Sequence, residues 1–391
     1  MLSSNLSDLE NRLSYLDEAD QLCSELVDSL NHVARAVAET DPARAQSLSK
    51  RALQVATQLR YRQGEARALT LMAWVNMVEG RVDLALTRAL NAEAVARLAR
   101  DAQLEGHALY TIALIHDQVG NFAEAHRTRQ KMIVVARELD DEILEANCLL
   151  TMGMQHSRNT EFKKAMGYYM QALTLYRKQN DGSERHTLAL NNVASALTDT
   201  GDVLLALQYA QKALNRCDRN NRRVHALIVH TFGYIYAAMG QFDEALTHYI
   251  RSSALNVQDG QITDHEFEVT VQLDLAKMQR AMTQPKQAFM ALQQALEIAQ
   301  AIDAKPLLAQ THDQLSKAYH EAGNIALALA HAEQREAIRA LIHQTTSTQH
   351  EKVIRVMAIL QASRKHVHTE QCQAAHEWLW QACLHGNAPT C

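Results

Sequence analysis

Apolar residues along this chain recur at helical spacing and break at turns that repeat about every 40 residues. Within residues 225–255, Leu227, Ile228, Phe232, Ile235, Tyr236 and Met239 fall on one helical face and run into Gly240 and Gln241. A second amphipathic run, Phe242, Ala245, Leu246, Tyr249 and Ile250, follows that turn. The spacing therefore predicts a helical hairpin.

The same unit recurs. Its turns fall at Thr40, Gly80, Gly120, Thr160, Gly201, Gly240, Thr283 and Gly323. Five positions after each turn stands an alanine, from Ala45 and Ala85 through to Ala288 and Ala328. Seven positions before each turn from the second onward stands a small residue: Ala73, Ala113, Gly153, Ala194, Gly233, Ala276 and Ser316. A third small column, twelve positions after the turn, runs from Ala52 to Ala295 with Met132 as its large member, and ends in Arg335. Small residues at fixed places let helices cross closely, and a bulky substitution there costs about 1 to 3 kcal/mol by overpacking. A helix pair cannot bury both faces alone, so such units stack into an array.

Residues 1–38 carry leucines near a helical period and are expected to form N-terminal capping helices. Residues 39–342 hold about seven to eight hairpins, with polar linkers near 181–183, 220–221 and 259–260. The loss of Gly around residues 283–285 marks the place where an irregularity is expected. Residues 343–391 form the third region. There, residues 344–348 read as a polar interruption, and Val353, Val356, Met357, Leu360 and Val367 are spaced for a short coiled-coil seam. Self-association through the terminal helices is a corresponding expectation.

Composition narrows the class. Hydrophobic residues make up 47% of 391, while 13 Gly and 4 Pro leave few interruptions, which favours an all-α chain. A net charge of −5 and the absence of a Lys/Arg run argue against nucleic acid as a partner. The first residues lack the basic and apolar pattern of a leader, and no 18-residue apolar stretch occurs, so a cytoplasmic chain without membrane insertion is expected. Cys23, Cys148 and Cys217 are scattered through helical text and imply no disulfide framework.

The three small-residue columns over residues 40–340 resemble the signature of tetratricopeptide repeats. The step differs from the usual 34 residues and lacks the usual Pro after the second helix. It resembles the long-helix repeats of kinesin light chains and of bacterial sensor and regulator arrays, and implies a longer second helix. The resemblance implies a right-handed superhelical solenoid whose first helices line a concave groove. Carried onto this chain, the groove columns place Trp74, His107, Tyr110, Asn147, Asn191, His230, Tyr234, Lys277, Asp313 and Lys317 on the peptide- or protein-binding lining. Asn191 falls where family members hold a peptide backbone by a two-pronged amide contact.

The sequence carries no phosphate loop, nucleophile elbow or metal-binding helix motif, so no catalytic residue and no cofactor are assigned. The 19 histidines fall mostly singly on helical faces. Cys372, His376, Cys383 and His385 match no standard zinc spacing, and no metal is assigned; Trp378, Leu379 and Trp380 beside them suit packing on the array. The expected function is a non-enzymatic module, adaptor or sensor, that binds a protein or peptide in the groove. The alternative is a regulatory module that controls an associated signalling enzyme, such as a nucleotide cyclase or kinase, through its C-terminal helix.

Overall fold

The computed structural model describes residues 2–18, 22–38, 40–179 and 183–366. The expected packing of Trp378, Leu379 and Trp380 and the Cys/His constellation of the tail lie outside the described residues, as does Val367 of the seam. The described chain is helix after helix, and it divides into two compact units: Met1–Asp141 with Thr346–Cys391, and Glu142–Thr345.

In the first unit, α1 (Leu2–Glu18) precedes three hairpins: α2 (Ser24–Val37) with α3 (Pro42–Leu59), α4 (Arg62–Val78) with α5 (Val82–Leu98), and α6 (Ala102–Gln118) with α7 (Phe122–Glu138). Residues 1–38 thus hold α1 and also the first helix of a hairpin. Leu6, Leu9, Leu13 and Leu16 of α1 pack on a core that contains Leu26, Leu30, Leu53 and Leu69. Each such leucine, fully removed from water, contributes about 1.5 to 3 kcal/mol.

The second unit contains α8 (Glu142–Arg158) with α9 (Phe162–Lys178), α10 (Glu184–Asp199) with α11 (Val203–Arg216), and α12 (Arg222–Ala238) with α13 (Phe242–Leu255). It continues with α14 (His265–Ala281) and α15 (Pro285–Ala301), then α16 (Lys305–Glu321) and the start of α17 (Ile325–His366). In four hairpins the second helix is not the longer one. In the α4–α5, α6–α7, α8–α9 and α14–α15 hairpins both helices have 17 residues, so the added length of the repeat is shared between them.

The small columns work as their spacing implies. The alanines five past the turn are buried throughout, most of them completely. At Gly153 and Gly233 the opposing tyrosine ring of the second helix, Tyr169 or Tyr249, fills the place of a side chain. Ser316, at the same column, donates its hydroxyl to the carbonyl of Ala328 at 2.8 Å. First and second helix therefore meet where the turn−7 residue touches the backbone of the turn+5 residue. The turns themselves need a left-handed residue: Gly at φ +75° in Gly80 and Gly240, but Thr at +59° in Thr160 and +56° in Thr283.

Three local expectations change. The segment around Thr283 keeps ordinary turn geometry, and Pro285 sits in the first turn of α15, where a missing N–H costs nothing. The irregular junction is instead at residues 256–264, where β1 (Val257–Gln258) pairs antiparallel with β2 (Gln261–Ile262) around Asp259 and Gly260. Asn256 fastens this ribbon: its Oδ1 accepts from the Thr263 hydroxyl and the Asp264 N–H, and its Nδ2 donates to the Asp264 carbonyl and Glu268. Finally, residues 344–348 interrupt nothing. They lie inside α17, which is continuous for 42 residues.

Val353, expected on a coiled-coil seam, is fully buried within the first unit. In the same unit Thr346 lies against Gly120 at the α6–α7 turn, and Val119 beside it is buried.

Candidate functional site

In each hairpin the turn−7 residue faces the second helix, so residues a few positions either side of it on the first helix point the other way. Across the second unit this face is formed in turn by α8, α10, α12, α14 and α16. By register Asn191, His230, Tyr234, Lys277, Asp313 and Lys317 fall on four successive first helices, α10, α12, α14 and α16.

Most of these side chains hydrogen-bond to carboxylates, some on a neighbouring hairpin and some on their own helix. The Tyr234 hydroxyl donates to Asp199 on α10, and burial together with that carboxylate raises its pKa. His230 Nε2 lies 3.0 Å from Asp274 Oδ2, while Lys277 Nζ donates to Asp274 Oδ1 at 2.7 Å. Burial alone would raise the pKa of Asp274; its two partners outweigh that and hold the carboxyl below its usual value. The His230 ring also packs on Tyr249 and Phe267. Arg280 bridges to Gln314 at 2.8 Å and to Glu321. Lys317 and Arg335 share the carboxylate of Asp313, each at 2.6 Å, and lower its pKa against the opposing effect of burial. The result is a ladder of polar pairs from α10 to α17, of which Lys277–Asp274, Arg280–Glu321, Lys317–Asp313 and Arg335–Asp313 join opposite charges.

Asn191 makes no such pair, and neither does Gln279 Oε1 on α14. The Asn191 side chain is only 7% exposed, and its Oδ1 has no hydrogen-bond partner in the protein. An amide carbonyl buried without a donor costs about 1 to 3 kcal/mol, which a bound N–H would relieve. On α8, Asn147 differs: its Oδ1 accepts the Tyr176 hydroxyl at 2.7 Å, tying α8 to α9.

Trp74, His107 and Tyr110 belong to the first unit and are described with it. Trp74 packs, half-buried, against the cluster of Val37, Ala38, Ala45 and Val75. Tyr110 is 43% exposed, and His107 is exposed on the same helix. Close by in sequence, Arg67 binds Asp28 at 2.8 Å, and Asp28 also accepts from the Tyr61 hydroxyl.

Sequence reasoning missed Asp199, Asp274 and Glu321, the acidic partners of the ladder. The groove columns taken from the repeat each lie one to two positions from these residues, so a wider column would have included them. Among the described residues, no group of three or more His, Cys, Asp or Glu is arranged to hold a metal ion. No helix among them is long and apolar enough to cross a membrane.

Consecutive packed helix pairs and small-residue crossings define an all-α protein of stacked helix hairpins. Residues 186–256, 224–301 and 267–340 each match the family model of the tetratricopeptide repeat, and this stretch is a tetratricopeptide repeat array. No curated protein sequence matches the chain. Among solved structures, it is similar to the Rap conjugation gene regulator of the plasmid pLS20 in complex with the Phr* peptide, at 13% identity and a TM-score of 0.58, over 88% of this chain and 97% of that one. It is also similar to a Rap protein complexed with competence and sporulation factor, at 16% identity and a TM-score of 0.50, over 82% and 100%. A third is the APC/C hetero-tetramer Cut9-Hcn1, at 14% identity and 0.51, over 83% and 59%. At these identities the likeness is one of fold.

Proposed function

We propose that the face built by α10, α12, α14 and α16 binds an extended peptide or a helix of a partner protein, and that the chain acts in the cytoplasm as an adaptor or sensor without catalysing a reaction. The observation that carries this reading is the buried, unpaired Oδ1 of Asn191 on α10, joined on α14 by the equally unpaired Oε1 of Gln279. A carbonyl in that state calls for a main-chain N–H, and an extended peptide supplies N–H groups at regular intervals. The two Rap structures, one in complex with the Phr* peptide and one with competence and sporulation factor, support the same use of the fold.

The test begins with a peptide selected on the purified chain from a displayed random library, whose affinity is then measured by calorimetry. Asn191→Ala is expected to weaken it at least ten-fold, about 1.4 kcal/mol, and Tyr234→Ala to weaken it as well, both with unchanged helical circular dichroism. Wild-type affinity in both variants would move the site elsewhere.

The unbroken length of α17 favours a second reading, in which ligand binding is passed along that helix to an associated signalling enzyme. Deleting residues after 340 would then abolish regulation of that enzyme while leaving peptide affinity intact.

A further inference from the structure

The stack in the second unit ends on a face built like an internal one. In five earlier hairpins, the apolar residue six past the turn is covered: Leu86 is fully buried, and Met166, Leu207, Leu246 and Phe289 are partly buried. In the last hairpin that residue is Leu329, and it is 59% exposed. Ile325, one turn earlier on α17, is exposed to the same extent. With Ala328 and Ala332 they line one side of an open groove whose other side is Ser316, Lys317, His320 and Glu321 of α16. That groove is the slot into which a following hairpin would lay its first helix.

Among the described residues, nothing fills the slot. From Ile325, α17 runs on as one rod for 42 residues, which at about 1.5 Å per residue carries the backbone roughly 60 Å away. The rim also indicates what does. Lys317 and Glu321 stand one helical turn apart on α16 with opposite signs, so a two-fold rotation brings each beside the other's counterpart. A rim of one sign would select an oppositely charged partner; a rim of both signs, around an apolar strip that continues the repeat interface, is complementary to itself.

We infer that the α16–α17 end of the stack is a self-association surface, taken in an isologous dimer by the same surface of a second copy. Ile325, Leu329 and Ala332 of one copy pack against their equivalents. Lys317 of each copy reaches Glu321 of the other, adding to the pairs these residues already make with Asp313 and Arg280. This surface shares Lys317 with the proposed binding face but not Asn191, so loss of dimerisation in the Leu329 variants with peptide affinity kept separates it from the peptide-binding reading.

Sedimentation of the full-length chain across micromolar concentrations tests it. The wild type is expected to shift from monomer to twice the chain mass as concentration rises. Leu329→Glu should raise the dissociation constant at least 100-fold, and Leu329→Ala at least several-fold, both with an unchanged melting temperature because the residue is mostly exposed in the monomer. Lys317→Glu should weaken the dimer, and adding Glu321→Lys should restore it. A wild type that stays monomeric at the highest concentration overturns the inference, as does a Leu329→Glu variant that dimerises as tightly as the wild type.

Discussion

Gly233 on α12 lies against the ring of Tyr249 on α13, so close that a Cβ added there would sit 2.8 Å from two ring carbons and 3.2 Å from the carbonyl of Ala245. This pairing of an absent side chain with a large buried one sets how near the two helices of a hairpin come. Gly233→Ala is expected to destabilise the chain by about 1 to 3 kcal/mol through overpacking. Gly167, in the middle of α9, has nothing within 4 Å of its added Cβ. There Gly→Ala should stabilise by about 0.5 to 1 kcal/mol. Urea unfolding of the two variants, giving shifts of opposite sign, checks both.

Thr160 and Thr283 hold the left-handed backbone that Gly holds at the other turns. Thr160→Gly is expected to raise stability by about 0.5 to 1 kcal/mol, because left-handed strain of about 1 to 2 kcal/mol is lost and only part returns as chain entropy. Gly240→Ala should do the reverse. Thermal melts of the pair report it.

Asp274 has a folded pKa below its ordinary 3.8 because His230 and Lys277 favour its charged form over the effect of burial. A carboxyl with a depressed folded pKa contributes stability that is fully present above its unfolded pKa and lost as pH falls through the folded value. Asp274→Asn should therefore cost about 2 kcal/mol at neutral pH, and the gap from wild type should close below about pH 4. A gap that stays constant from neutral to acid pH would contradict the assignment.

Val353 is fully buried and its neighbour Ile354 is half exposed. Val353→Ala should cost about 1 to 3 kcal/mol, and Ile354→Ala less than about 0.5 kcal/mol. Equal effects in denaturant unfolding would show that this end of α17 is not packed as described.

Hairpins and crossings were readable in the chain because Ala, Gly and Ser at fixed offsets report directly on helix contact. The continuity of α17 was not, because Thr345, Thr346, Ser347 and Thr348 look like a break. Without Gly or Pro such residues cost a helix only tenths of a kcal/mol each, and Thr345 returns its hydroxyl to the Leu341 carbonyl at 2.9 Å. The ribbon at Asp259 and Gly260 was visible as a turn, but two-residue strands are too short to leave an alternating pattern. Asn191, His230 and Tyr234 could be placed on one face by register alone. That Tyr234 would pair with Asp199, 35 positions earlier, depends on the offset between stacked hairpins, which periodicity does not encode.

The fastening of that ribbon by Asn256 has a practical outcome. Both feet of the insert are gathered on one buried amide, so whatever happens at its tip is isolated from the stack on either side. A peptide tag or small reporter spliced between Asp259 and Gly260 would therefore ride on the array as a passenger, leaving the register of α13 and α14 undisturbed.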